Sequence, residues 1–254
     1  MNYGISGRRA LVMGGSRGLG AASAQALSAE GVEVVALSRS GASPEVLEGG
    51  APITGRAVDL SDAGALSALY AELAEQNFDI LVGNAGGPPP GPAATQSADS
   101  WRGAFEALAL PVFGLASALL PGMTARGWGR IVTIGSSGIQ APIPNLALSN
   151  AVRGAVAGWS KTLAAEVAGN GVTVNMVLPG RIATDRLGEL DAAAAKRLGK
   201  DIEDVKAASR ATIPAGRYGR PEEFAAAVAF LCSGPASYIT GSMIRVDGGM
   251  IRSL

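Results

Sequence analysis

The 254-residue chain predicts an α/β domain on one doubly wound, mostly parallel sheet of seven strands. Three observations predict it. Short apolar runs alternate with helical runs from end to end. A glycine-rich turn, Gly14 to Gly20, separates the first such pair. No internal repeat and no linker divides a length that can bury one large core.

The elements follow in order. Arg9 to Met13 is a buried strand, and Ala21 to Glu30 is an Ala-rich helix ending at Gly31. Val32 to Leu37 is the second strand. Gly41 to Pro52 reads as a loop, with a short helix expected at Pro44 to Glu48. Ile53 to Val58 is the third strand, and Ser61 or Asp62 caps the helix that runs on to Gln76. Phe78 to Val82 is the fourth strand, followed by Asn84-Ala85-Gly86 and Pro88-Pro89-Pro90. Ser100 to Met123 is a long apolar helix bent near Pro111. Arg130 to Ile134 is the fifth strand, Asn145 to Ala168 a helix, and Val172 to Val177 the sixth strand. Asp185 to Arg210 is polar and helical. Pro221 to Leu231 is a helix opened by proline, and Ser242 to Val246 is the last strand.

Composition excludes several classes of function. Hydrophobic residues make up 48% and aromatic residues 5%, so Ala, Val, Leu and Ile must build the core. Lys+Arg and Asp+Glu are 21 each, which gives no electrostatic reason to expect nucleic acid or an anionic membrane. No apolar run of roughly 18 residues is expected to span a bilayer. Met1 to Ser6 is polar and does not read as a signal peptide, so a cytoplasmic protein is expected. Cys232 has no second cysteine for an internal disulfide. The absence of histidine removes a histidine-based triad and any histidine metal site, and no metal is expected.

Strand, glycine turn and helix in that order make a phosphate site. The glycines let the backbone approach a pyrophosphate, and the helix start presents unpaired N–H groups with the positive end of its dipole. The spacing is Gly-x-x-x-Gly-x-Gly. With the motifs that follow it, the chain resembles the short-chain dehydrogenase/reductases over nearly its full length. Those motifs are Asp59-Leu60, Asn84-Ala85-Gly86, Ile134-Gly135-Ser136-Ser137, Pro179-Gly180, Gly219-Arg220-Pro221-Glu222-Glu223 and Asp247-Gly248-Gly249.

The resemblance, to members like the 3-oxoacyl-ACP reductases, implies a single-domain Rossmann-type fold and a nicotinamide cofactor. It implies cofactor contacts at Gly14, Ser16, Arg17, Gly18, Leu19, Gly20, Leu60, Ala85, Gly86, Pro179, Gly180 and Ile182. Asp59 is expected at the adenine, Asn84 at the ribose side of the fourth strand, and Thr184 at the pyrophosphate. An NAD enzyme of this type places an acidic residue after the second strand. Here Ser38 and Arg39 stand there, with Arg17 inside the glycine turn. Two guanidiniums suit a 2′-phosphate that a carboxylate would repel, so NADP(H) is expected.

The family pattern breaks at the catalytic positions. Its Tyr-x-x-x-Lys aligns with Ser149 and Arg153, and its helix asparagine with Leu108; the substrate-binding serine is retained as Ser136. A tyrosine, with a pKa of about 10, is brought toward neutrality by a nearby cation, whereas an aliphatic hydroxyl is a much weaker acid. Arg153 is still expected to hold ribose hydroxyls, since that needs only donated hydrogen bonds. Tyr3, Tyr70, Tyr218 and Tyr238 lie in segments away from the site, Tyr218 being nearest to the substrate loop. Three readings follow. The chain reduces a carbonyl with Ser136, Ser149 and a water relay; it reduces an activated C=C bond, whose enolate needs hydrogen-bond donors more than a strong acid; or it binds NADP(H) as a silent sensor or subunit.

A small-molecule substrate is expected between Gly87–Pro92, Ser137–Asn145 and a lid insertion at about 181–217. Ser137, Gln140 and Arg181 are its candidate contacts, Arg181 toward a carboxylate or phosphate. The other charges of the lid, Asp191 among them, read as solvated. The helices at 100–123 and 145–168 are apolar on more than one face, which predicts a homotetramer, or a homodimer, built on them.

Overall fold

The seven strands do form one sheet, and all of its pairings are parallel. In the computed structural model, which describes residues 3–253, the strand order is β3-β2-β1-β4-β5-β6-β7. Met1 and Asn2, the start of the polar N-terminal stretch, lie outside the described residues. The strands are β1 (Arg9–Met13), β2 (Glu33–Ser38), β3 (Ile53–Ala57), β4 (Ile80–Gly83), β5 (Gly129–Ile134), β6 (Val172–Pro179) and β7 (Met243–Val246). Each lies within two residues of its expected bounds. The chain winds outward from β1 to β3 and then crosses back to β4, so the direction of winding reverses between β1 and β4. A crevice opens at the carboxyl ends of the strands at such a reversal.

Helices cover both faces because successive strand side chains point to opposite sides. Leu11 and Met13 of β1, and Val174, Met176 and Leu178 of β6, meet α2 (Ala63–Ala74), α4 (Leu110–Ala125) and α5 (Ala147–Val167). Ala10 and Val12, alternating with them, meet α1 (Gly18–Ala29) and α8 (Pro221–Leu231). Asp62 rather than Ser61 caps α2, accepting from Gly64 N at 2.8 Å and Ala65 N at 3.0 Å.

Three expectations are corrected. Pro44 to Glu48 is not helical; the segment crosses α1 as loop, tied by Gln25 Nε2 donating to the Glu45 carbonyl at 3.0 Å. The long apolar helix is two helices, α3 (Ala98–Leu108) and α4, interrupted at Ala109 just before Pro111. Together they are long and apolar enough to cross a bilayer by length and composition. Their break, and the burial of Leu108, Val112, Leu115, Leu119 and Met123 in the core, make them a layer against the sheet. The polar helical stretch is likewise two helices, α6 (Asp185–Leu198) and α7 (Ile202–Ala211), parted at Gly199, whose φ of 60° ends α6.

Candidate active site

The carboxyl ends of β1, β4, β5 and β6 bring the motifs together. Gly15 N extends the β2 pairing, donating to Leu37 O at 3.1 Å, and Gly14, at a φ of 58°, turns the chain out of β1. At Gly20 a Cβ would lie 2.1 Å from the Gly14 carbonyl oxygen and 2.8 Å from Asn84 Nδ2, so only glycine lets α1 start this close to the turn. Arg17, the N-cap of α1, is extended and makes no side-chain cap, which leaves the first-turn N–H groups to an incoming anion. Asn84 Nδ2 reaches the Gly14 carbonyl at 3.5 Å and ties the β4 turn to the glycine turn.

Across the turn stands Thr184, whose Cγ2 is 3.8 Å from where a Gly18 Cβ would lie. Its Oγ1 caps α6, accepting from Leu187 N at 3.4 Å. Ile182 is buried and bridges to Gly219, fixing the Pro179–Thr184 turn against the segment that follows the lid. The glycine turn and this second turn form two walls. The crevice between them fits the pyrophosphate of a dinucleotide, since the uncapped first turn of α1 opens there.

At the far end of the crevice Ser38 is buried, its Oγ 3.3 Å from Ser40 Oγ. Asp59 accepts from Ser61 N at 2.9 Å and Ser61 Oγ at 2.7 Å; these bonds, with Arg39 nearby, hold its carboxyl below the usual carboxylate range. Arg17 and Arg39 are both exposed, and among the described residues neither forms an ion pair. Their charge faces outward, available to an anionic ligand.

Two expected hydroxyls lie just after β5 and on α5. Ser136 stands two residues after β5, and its Oγ accepts from Gly138 N at 3.0 Å, which leaves the hydroxyl proton free to donate. Ser137 beside it is buried. The Ser149 hydroxyl, half-buried on α5, has no hydrogen-bond partner among the described residues. Arg153 follows one turn later on the same face. Asn150, which the sequence did not single out, clamps the loop above: Nδ2 donates to Ile143 O at 2.9 Å, and Oδ1 accepts from Ile143 N at 3.4 Å.

Arg153, expected to hold ribose hydroxyls, also braces the backbone. Its Nη1 donates to Ile134 O at 2.9 Å, and its Nη2 to Ala85 O and Gly86 O, each at 3.0 Å. Burial lowers its pKa to about 10, so it remains charged at neutral pH. The guanidinium is a brace across the ends of β4 and β5. Beside it, a void of about 10 Å³ lies between Leu108, Val112, Thr133 and Met176.

The tyrosines are engaged elsewhere. Tyr70 packs over Gly114 of α4, Tyr3 meets Phe230 edge-on, and Tyr238 is fully exposed. Tyr218 donates its hydroxyl to Asp191 Oδ2 at 2.9 Å, and burial raises the phenol pKa. Asp191 is therefore not solvated as expected. It is 2% exposed and also faces Arg181 Nη1 at 3.5 Å, so it pins α6 to the chain on both sides of the lid. Arg186 of α6 lies against Gly87, where a Cβ would be 3.4 Å from its Nη2; the lid therefore meets the β4 loop.

Comparison with known proteins places this geometry. A protein-family model described as enoyl-(acyl carrier protein) reductase matches residues 14–251. The 3-oxoacyl-[acyl-carrier-protein] reductase FabG of Vibrio cholerae is 36% identical over 252 residues, 97% of this chain and 98% of its own. The solved structure of the L-sorbose reductase from Gluconobacter frateurii, complexed with NADPH and L-sorbose, is similar with a TM-score of 0.90 at 30% identity, covering 100% of both chains. YwfH, an NADPH-dependent reductase involved in bacilysin biosynthesis, is similar with a TM-score of 0.86 at 28% identity, covering 98% of this chain and 100% of its own.

Proposed function

The chain belongs to the short-chain dehydrogenase/reductase family, and we propose that it reduces the carbonyl of a 3-oxoacyl-like substrate with hydroxyl donors. It is an oxidoreductase, and its cofactor is NADP(H). The glycine turn and the Thr184 turn hold the pyrophosphate, Arg17 and Arg39 the 2′-phosphate, and Asn84 the ribose side. The nicotinamide supplies the hydride when bound.

One observation carries the carbonyl reading. Gly138 N–H occupies a lone pair of Ser136 Oγ, so the hydroxyl points its proton at an acceptor, as a carbonyl oxygen requires. Ser149 is the second donor. An oxygen that gains negative charge is stabilised by preorganised donors, and the half-buried Arg153 cation adds its field from one turn away. Neither serine is acidic enough to be the proton source, so water replaces the proton through them. Arg153 is a positioning residue here, holding the Ala85–Gly86 turn and the end of β5 in register.

A second reading is reduction of an activated C=C bond. Both free donors at the site are aliphatic hydroxyls, which suit an enolate oxygen better than an alkoxide. Following NADPH oxidation with a 3-oxoacyl thioester and its 2-enoyl counterpart decides between the two. Turnover of the ketone supports the proposal, and turnover of the enoyl thioester alone moves the assignment to C=C reduction. Tight NADPH binding with neither turned over favours the silent sensor and counts against both.

The assembly we propose is a homotetramer. Phe105 and Leu110 are exposed on α3 and α4, and Phe113 stacks on Trp159 of α5 at 4.7 Å between centroids. A monomeric mass by light scattering at micromolar concentration overturns it.

A further inference from the structure

A cavity of about 360 Å³ lies beyond the Pro179–Gly180 turn, lined by Arg181, Arg217 and Arg245 with Glu223 and Asp247. Its charges are unequally matched. Glu223 is committed to Arg217, with Oε1 2.7 Å from Nη2 and Oε2 2.8 Å from Nη1, and Oε2 also accepts from Arg220 N at 2.7 Å. Asp247 is turned into its own loop, accepting from Gly249 N and Ile251 N, each at 2.9 Å. Arg181 shares Asp191 with Tyr218, and its side chain remains 39% exposed. Arg245 is held by two neutral acceptors, the Gln140 amide oxygen and the Ser253 carbonyl, and among the described residues no carboxylate pairs with it. Arg245 is therefore the lining arginine without a carboxylate partner among the described residues, beside the part-exposed Arg181, and guanidinium forks match the geometry of carboxylate and phosphate.

Gln140 links this cavity to the candidate chemistry. Its N–H donates to Ser137 O at 3.1 Å, one residue beyond Ser136, while its side chain holds Arg245. Gln140 therefore ties the Ser136–Ser137 turn to Arg245 in the cavity wall.

We propose that this cavity binds a small oxyanion through Arg245 and Arg181: the carboxylate or phosphate group of the substrate. The word substrate rests on the reductase reading above; the affinity for an oxyanion does not. Inorganic phosphate, 3-oxobutanoate and methyl 3-oxobutanoate are titrated separately into the full-length protein, followed by calorimetry and by the shift in unfolding temperature. At least one of the two anions binds saturably and the neutral ester does not. Arg245→Gln and Arg181→Gln each weaken the anion by about tenfold or more, about 1.4 kcal/mol. Arg197→Gln, on the exposed side of α6, changes nothing. Saturable phosphate binding alone identifies a phosphate-bearing ligand, and 3-oxobutanoate binding alone a carboxylate.

Saturation by neither anion overturns the proposal, as does equal weakening by Arg197→Gln or equal binding of acid and ester. If Arg245→Gln does not fold, Arg181→Gln and Arg245→Lys carry the same comparison, the latter keeping the charge while losing the fork. NADPH binding to the parent is measured alongside. A parent that binds the anion but not NADPH sinks the reductase reading and leaves this one standing.

Discussion

Replacing Gly20 by alanine should cripple the cofactor site while leaving the rest of the fold in place. The added Cβ would stand 2.1 Å from the Gly14 carbonyl oxygen and 2.8 Å from both the Gly14 carbonyl carbon and Asn84 Nδ2. Ordinary contacts are about 3.5 Å, so the turn and the start of α1 must separate by about 1.4 Å. The obstacle is backbone, which cannot swing aside as a flexible side chain would. Overpacking of this kind costs about 1–3 kcal/mol. For a domain of this size each kcal/mol lowers the melting temperature by about 2–4 °C, and each 1.4 kcal/mol lost from the cradle weakens binding about tenfold. Differential scanning calorimetry and NADPH fluorescence titration read the two effects separately. Gly18→Ala is the control: its Cβ finds nothing nearer than Thr184 at 3.8 Å, and only the φ of +58° is strained. That strain costs about 1–2 kcal/mol of stability, with a smaller loss of affinity. Unchanged NADPH affinity and melting temperature in Gly20→Ala would refute the close-approach argument.

Three further outcomes follow from the site. Arg17→Gln with Arg39→Gln raises the Kd for NADPH by about tenfold or more and leaves NADH binding unaffected; equal losses for both cofactors would show that the arginines do not read the 2′-phosphate. Arg153→Met strips a charged donor from the carbonyls of buried Ile134 and Ala85 and of exposed Gly86 and costs about 1–3 kcal/mol of stability, whereas Arg153→Lys recovers part of it. A rise in KM for NADPH with no fall in melting temperature would return Arg153 to the ribose. Arg217 and the Arg220 N–H hold Glu223 down at about 2. A lowered carboxyl pKa stabilises the fold above its unfolded value, and that stabilisation is lost as pH falls through the folded one. Between about pH 5 and pH 2 the parent should therefore lose more thermal stability than Glu223→Gln; parallel curves in a calorimetric pH series would contradict this.

The elements were legible in the sequence because their signals are local. Four to eight largely apolar residues between turn formers make a strand wherever the partners lie, and a glycine at Gly31 or a proline at Pro221 marks a helix end by backbone geometry alone. The crevice was legible for the same reason, since the glycine turn and Asn84 sit directly after β1 and β4 and must meet wherever those strands pair.

Tertiary structure decided what the charged side chains do. Asp191 shares the i, i+4 stripe of Leu187 and Ala195, which marks its face as buried, but its partner appears only when folding sets Tyr218, 27 residues away, against its carboxylate. Arg153 carries the spacing of a cofactor contact, yet its guanidinium finds three carbonyls at the ends of β4 and β5. Arg245 meets Gln140 across 105 residues and makes the edge strand β7 part of a cavity wall. Apolar periodicity determines which face of an element is buried, because burial depends on area and repeats along the chain. The partner of a buried charge depends on direction and on distances of about 3 Å between segments remote in sequence, so the chain alone determined the scaffold and only its folding assigned the charges.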